Sequence, residues 1–191
     1  MENQNNNKNH GAKTFSFFSS PISNTKPSRD FTLLDAYNYI VGHQASHSTN
    51  SLRSIKDKNY ARKYKANNFC YCTFSGIFSK RDDKALIRHS GLLCIDFDHL
   101  EDIEKVKNTL LLDEYFETQL LFVSPSGDGL KWVIGIDISK ASHQDWFDSI
   151  SNYLKQTYSL EADSQCRNIS RACFLPHDPH CIINSKYLKY E

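Results

Sequence analysis

The stretch Ser90-Gly-Leu-Leu-Cys-Ile-Asp-Phe-Asp98 most constrains what this chain can fold into. An apolar run leads straight into two acids separated by one aromatic, which reads as a buried strand ending in charge. Successive side chains on a strand point to opposite faces, so Asp96 and Asp98 share one face while Ile95 and Phe97 take the other. Residues two apart on a strand stand about 6.5 Å apart, close enough for two carboxylates to hold one or two divalent cations between them. Like charges repel and resist desolvation, so paired acids here need a cation or donors to compensate them. A blander reading ends the strand at Asp96 and leaves both acids in a solvated turn. The choice rests on what else the chain brings to that end of the strand.

A chain of 191 residues can build one domain, or two small lobes sharing a core. No apolar run approaches the ~20 residues of a membrane span, and the N-terminus has no signal-peptide core. A cytoplasmic protein with no membrane attachment is therefore expected, with its six cysteines reduced. Residues 1–90 carry 14 Lys and Arg against 6 Asp and Glu, whereas residues 91–191 carry 9 against 16. That asymmetry fits a polyanion held by one half and cations gathered by the other, although two solvated faces of opposite sign would give the same balance.

Residues 1–13 read as a disordered Asn-rich tail. Residues 14–89 read as a smaller, basic α/β lobe. Phe15, Phe17 and Phe18 predict a short strand, and Pro21 and Pro27 punctuate a loop. Thr32 and Asp35 open a helix with Leu34, Tyr37, Ile40 and Val41 on one face. A second helix is predicted over residues 51–65, with Arg53, Lys56, Lys58, Arg62, Lys63 and Lys65 against Asp57 alone. Residues 69–78 alternate as a strand pair turning at Ser75 and Gly76, and a short helix or loop then carries Arg88 into the central strand. Arg53, Lys56, Arg62, Lys63, Lys80, Arg81 and Arg88 are the candidates for contact with a nucleic-acid backbone. A solvated helix face would look the same.

Residues 90–191 are more regular. After the central strand come a helix over 101–112, strands over 118–123 and 130–137, a helix opened by Ser142 and Asp145, and a last strand over 171–175. The order β-α-β-β-α-β predicts an α+β fold with a ferredoxin-like (RRM-like) sheet, in which the first strand lies between the third and fourth. That geometry brings the end of strand one, the start of strand three and the approach to strand four to one edge. Asp96, Asp98 and Asp163 would then supply oxygens for Mg2+ or Mn2+. The turn containing Ser124, Ser126, Gly127 and Gly129 offers N–H and hydroxyl donors to a phosphate. Lys131, whose head group need not be buried, adds a cation, and Arg167 and Arg171 add planar donors.

Four segments in order carry a resemblance. They are Ser75-Gly-Ile-Phe-Ser-Lys-Arg81, His89-Ser-Gly-Leu-Leu-Cys-Ile-Asp-Phe-Asp-His-Leu100, Ser124-Pro-Ser-Gly-Asp-Gly-Leu-Lys131, and Asp163 with Ser170-Arg-Ala-Cys-Phe-Leu-Pro-His-Asp-Pro179. Together they resemble the N-terminal domain of virulence-associated protein E-like proteins, itself similar to the archaeo-eukaryotic primase and primase–polymerase superfamily. The resemblance covers roughly residues 30–185 and implies a metal-dependent nucleotidyltransferase from a replication protein of mobile elements. It implies Mg2+ or Mn2+ in a two-metal site, nucleoside triphosphates as substrate, single-stranded or template DNA as partner, and an adjoining helicase or ATPase. The acid pair falls on Asp96 and Asp98 and the lone acid on Asp163. The phosphate grip falls on Ser126 to Lys131, with Lys131 where the wider superfamily has histidine.

A nucleic-acid-binding or nucleotide-binding module without catalysis is the alternative; a generic RNA binder would need an aromatic sheet signature that is missing. No G-x-x-x-x-G-K-[ST] loop occurs in the sequence. Cys173, His177, His180 and Cys181 have soft ligands for zinc, but their spacing fits no common site.

Overall fold

Phe15, Phe17 and Phe18 enter the core on β1 (Thr14–Phe18), which pairs antiparallel with β2 (Arg29–Thr32). The computed structural model describes residues 13–188, so the expected tail lies outside the described residues except for Lys13. Thr32 caps α1 (Leu33–Val41): its hydroxyl accepts from the Asp35 N–H at 3.2 Å, and the Asp35 carboxylate accepts from the Thr32 N–H at 2.8 Å. Leu33, Ala36 and Ile40 are the buried face of α1, with Leu34, Tyr37 and Val41 packed at its margin.

The single helix expected over residues 51–65 is two helices, α2 (Ser46–Ser54) and α3 (Lys58–Asn68). Ile55 is extended, and Asp57 restarts the helix by accepting from the Tyr60 N–H at 2.6 Å. The hairpin expected over residues 69–78 also does not form. β3 (Tyr71–Thr73) pairs with β1, while β4 (Gly76–Phe78) pairs with β5 (Leu86–His89). Gly76 makes the second pairing possible, because a Cβ there would collide with the Arg88 carbonyl oxygen.

The central strand is β6 (Leu92–Phe97), followed by α4 (Ile103–Leu111), β7 (Thr118–Val123), β8 (Leu130–Gly135) and α5 (His143–Tyr158), the last capped by Ser142. β6 and β8 are antiparallel with Asp96 opposite Lys131 and Phe97 opposite Leu130. The fourth strand departs from expectation. β9 (Cys173–Phe174) is two residues long and joins β3 in the first sheet, giving the order β2-β1-β3-β9. The second sheet is completed instead by β10 (Ile182–Ile183) on β7, giving β10-β7-β8-β6. Beside β6 the chain makes one sheet-like contact, Asp163 N–H to the Asp96 carbonyl at 2.9 Å. It then turns away, because the Asp163 carboxylate caps a 3-10 turn over Ser164–Arg167.

Alternation assigns the two faces of the second sheet. Leu92, Leu120, Phe122 and Val133 pack towards the first sheet and α1, against Phe15, Phe31, Leu33 and Phe74. Leu93, Ile95, Phe97, Trp132 and Ile134 pack with Leu110 of α4 and Phe147, Ile150 and Leu154 of α5. Residues from both sides of position 89 therefore share one core. By the same alternation Asp96 and Lys131 point into the space between the two sheets. No helix among the described residues is long and apolar enough to cross a membrane.

His89 on β5 and His143 on α5 meet at 3.2 Å, Nε2 to Nδ1. Burial, and then the neighbouring His143, pull the His89 pKa from 6.5 down to about 4; burial also lowers that of His143. The folded state thus binds fewer protons than the unfolded one, so stability is full above about pH 6.5 and falls as pH drops toward 4. Urea unfolding at pH 7.5 and pH 5 should show this loss, and His89→Gln should reduce it. An identical pH dependence in that variant would contradict the assignment.

Candidate functional site

A cleft of about 360 Å3 opens between the two sheets where β6 ends. Its floor is the ion pair of Asp96 Oδ2 with Lys131 Nζ, facing residues of adjacent strands that are 3% and 8% exposed. Burial opposes the Lys131 charge, but the Asp96 carboxylate outweighs it and holds the lysine pKa above its ordinary value. Lys131, whose head group was expected not to need burial, is buried.

Asp163 arrives from the far end of the sequence. Its carboxylate, that of Asp96 and the Cys166 thiol offer ligand atoms that all lie within 4.8 Å of one another. Asp163 Oδ2 accepts from Arg171 Nη2 at 2.8 Å, and Arg171 Nη1 also bonds Gln165. Asp98 is exposed at the rim; it lines the cleft but belongs to neither close ligand group of the described residues.

Two buried polar atoms on the cleft have no hydrogen-bond partner among the described residues: Ser124 Oγ and Arg171 Nε. Ser124 is only 3% exposed. Orphans of this kind cost roughly 1–3 kcal/mol each, which a bound acceptor or donor would recover.

The predicted residues divide. Asp96, Asp98, Ser124, Ser126, Lys131, Arg171 and Arg81 line the cleft, and Asp163 stands beside Asp96. Arg81 is already engaged, stacked on the Tyr71 ring and donating to its hydroxyl at 3.1 Å. Gly129 serves the sheet: a Cβ would collide with the Phe97 carbonyl oxygen, so the glycine lets β8 approach the end of β6. Gly127 has φ +85°, the left-handed region its turn requires. Arg53 donates to the carbonyls of Ser124 at 3.2 Å and Pro125 at 3.3 Å, so it anchors that turn to α2. Arg167 pairs with Asp148 of α5 at 3.0 Å, away from the cleft lining. Arg88, on the strand β5 that feeds the opposite end of β6, donates to the Thr14 hydroxyl of β1. Lys56, Arg62, Lys63 and Lys80 are exposed and do not line the cleft.

The four zinc candidates do not gather. Cys173 sits beside Cys94, His177 Nδ1 bonds the Gly42 carbonyl at 2.7 Å, and neither close ligand group of described residues includes His177, His180 or Cys181.

Lys65, at the end of the basic run expected to line a groove leading to the acids, is the residue of α3 that lines the cleft. Burial first, then the nearby Lys131, lower its pKa, with Asp98, Asp96 and Asp128 acting in the opposite sense. Its signal was position: it lies in the last turn of α3, where the chain turns inward to Phe69. Gln165, Asn168, Ser170, Ile22 and Phe174 also line the cleft; nothing in their local spacing marked them.

Fold and cleft together define an α+β protein with a charged crevice between two sheets. The chain belongs to the family described as BT4734-like, N-terminal domain, whose sequence model matches residues 63–182. That span contains Asp96, Lys131, Asp163 and Arg171. No curated protein and no solved structure matches the chain.

Lys131→Met leaves the Asp96 carboxylate buried without its partner and should cost about 3–5 kcal/mol of unfolding free energy. Adding Asp96→Asn should restore part of that loss. Two single-variant losses that simply add in denaturant titrations would show that the pair is not coupled. Gly129→Ala should cost roughly 1–3 kcal/mol through overpacking at Phe97.

Proposed function

We propose that the cleft holds a nucleoside triphosphate with a divalent cation, and that the domain is a primase–polymerase-type nucleotidyltransferase of a replication protein. One observation carries this reading. Asp96 and Asp163, distant in sequence, converge on a crevice that also holds Lys65, Lys131, Arg171 and the unpartnered Ser124 hydroxyl. Carboxylates beside free donors and cations suit a ligand that is both metal-binding and polyanionic. On this reading β6, α4, β7, β8 and α5 are a ferredoxin-like half whose fourth strand has moved to the first sheet.

The donor set fits Mg2+ or Mn2+: Asp96 and Asp163 would hold the ion, with Asp98 at the rim able to reach a second. Cys166 beside them is softer than Mg2+ favours and tilts the preference toward Mn2+. Bound there, the cation supplies charge neutralisation at the transferred phosphoryl group and a lowered pKa for the attacking hydroxyl. The chain's own residues do the positioning. Lys65 and Arg171 give charge-assisted hydrogen bonds to phosphate oxygens, and Ser124 Oγ gains the partner it lacks. Phe174 and Ile22 are the larger apolar residues of the lining, against which a base or sugar packs.

The Asp96–Lys131 pair favours a second reading, a nucleotide-binding module without catalysis, because a lysine neutralises the first acid where the wider superfamily has histidine. Calorimetric titration with Mn2+ and a non-hydrolysable nucleoside triphosphate should show binding that Asp163→Asn and Lys65→Met each weaken by about tenfold. Template-directed nucleotide incorporation then separates the two readings. Binding without incorporation on any template gives the module; no binding removes both.

For template DNA, the exposed Lys56, Arg62, Lys63 and Lys80 are the candidates from the sequence that remain to meet a phosphate backbone. Affinity for single strands should fall with salt by a log–log slope of roughly −0.7 per phosphate contact. Replacing Lys56, Arg62 and Lys63 with Glu should flatten that slope and weaken binding to all sequences alike. An unchanged slope would make the run a solvated helix face.

A further inference from the structure

A second constellation lies beside the cleft and shares Asp96 with it. Cys94 precedes Asp96 by two residues on β6, so both point between the sheets. β9 brings Cys173 in from the first sheet. Cys94 Sγ lies 3.8 Å from Cys173 Sγ and 3.8 Å from Asp96 Oδ1, and the three ligand atoms lie within 4.8 Å of one another. A tetrahedral ion with bonds of about 2.3 Å to sulfur and about 2.0–2.2 Å to oxygen sets two sulfurs roughly 3.8 Å apart and sulfur and oxygen roughly 3.6 Å apart. The observed spacings therefore need only small adjustments to become the edges of such a tetrahedron. The same three residues line a cavity of about 20 Å3, completed by Cys166, His143 and Arg171 among others. That is room for one ion or one water.

We propose that Cys94, Cys173 and Asp96 form a site for a thiophilic divalent cation, of which Zn2+ is the representative. Two sulfurs against one carboxylate disfavour Mg2+ and Mn2+ here, whereas the Asp163 group has two carboxylates and one thiol, so the two groups select different metals. Asp96 belongs to both but divides its oxygens. Oδ1 faces Cys94 while Oδ2 pairs with Lys131, so the thiophilic ion binds without breaking the ion pair. The two thiols bind as thiolates, and their two protons pass to solvent. With Asp96 Oδ1 engaged, the carboxylate is less free to turn toward Asp163, so Zn2+ antagonises Mn2+ at the neighbouring group.

The full 191-residue chain, reduced and metal-free, is titrated with Co2+ and then Zn2+. The expected result is one Co2+ per chain with sulfur-to-cobalt absorption in the near ultraviolet, displaced by Zn2+. Cys94→Ser and Cys173→Ser should each abolish that band and weaken Zn2+ binding by more than about tenfold, since even the outer supports of a metal ligand carry roughly 10–100-fold. Cys181→Ser, a buried cysteine outside the set, should keep both. No sulfur-to-cobalt band in the folded wild-type chain overturns the proposal, as does a band that survives in Cys94→Ser and Cys173→Ser. Should either variant fail to fold, mass mapping of alkylated cysteines in the wild type decides: Zn2+ must shield Cys94 and Cys173, and equal labelling with and without Zn2+ overturns the site. None of these readouts depends on Mn2+ or nucleotide binding.

Discussion

The buried ion pair of Asp96 with Lys131 is the constraint on which the rest depends. Taking two charges out of water costs several kcal/mol per ion, and only close, well-partnered geometry offsets it. That geometry exists because β6 and β8 hold one register over six residue pairs, from Leu92 opposite Gly135 to Phe97 opposite Leu130. A slip of one residue would turn Asp96 into the layer of Trp132, Ile150 and Leu154 and expel Leu93. The charged pair and the apolar faces therefore enforce the same alignment. Gly129 allows it, by removing the one side chain that would hold the strands apart at Phe97.

From that pair outward the charges come in couples. Arg171 meets Asp163, and Lys65 lies within the influence of Asp96, Asp98 and Asp128. Several positive residues of the N-terminal half are spent on architecture. Arg53 ties the β7–β8 turn to α2, Arg81 ties Tyr71 to the loop at Ile22, and Arg88 ties β5 to Thr14. Surplus charge in a sequence thus overstates the charge available to a ligand, because arginine is also a good clamp for carbonyl and hydroxyl oxygens.

What was legible in the sequence was whatever rests on local periodicity and caps. The β6, β7 and β8 alternations, the α4 and α5 faces, the Thr32–Asp35 box and the Ser142 cap all follow from neighbours within four residues. The convergence of Asp163 on Asp96 was expected from a fourth strand beside β6; it occurs although that strand joins the first sheet, because the chain still passes the end of β6. Partner choice was not. β9 is too short for its own pattern to say which sheet it joins, and β3 and β4 look like a hairpin until β1 and β5 are known to compete for them. The run of positive residues around Asp57 read as one continuous helix face, and the break that Asp57 caps was not anticipated. The cysteines show the same limit. Cys173, His177, His180 and Cys181 are close in sequence and separate in space, whereas Cys94 and Cys173 meet only through two different sheets.

On the proposed reading, charge and orphaned donors make the inter-sheet crevice a seat for a metal–triphosphate ligand. Anomalous diffraction from crystals grown with Mn2+ and a non-hydrolysable nucleoside triphosphate tests it most directly. The account predicts a Mn2+ peak between Asp96 and Asp163, with phosphate density against Lys65, Arg171 and the Ser124 hydroxyl. A peak held by exposed acids elsewhere, such as Asp30 or Asp137, with triphosphate lying on the outer face of α3, would contradict it.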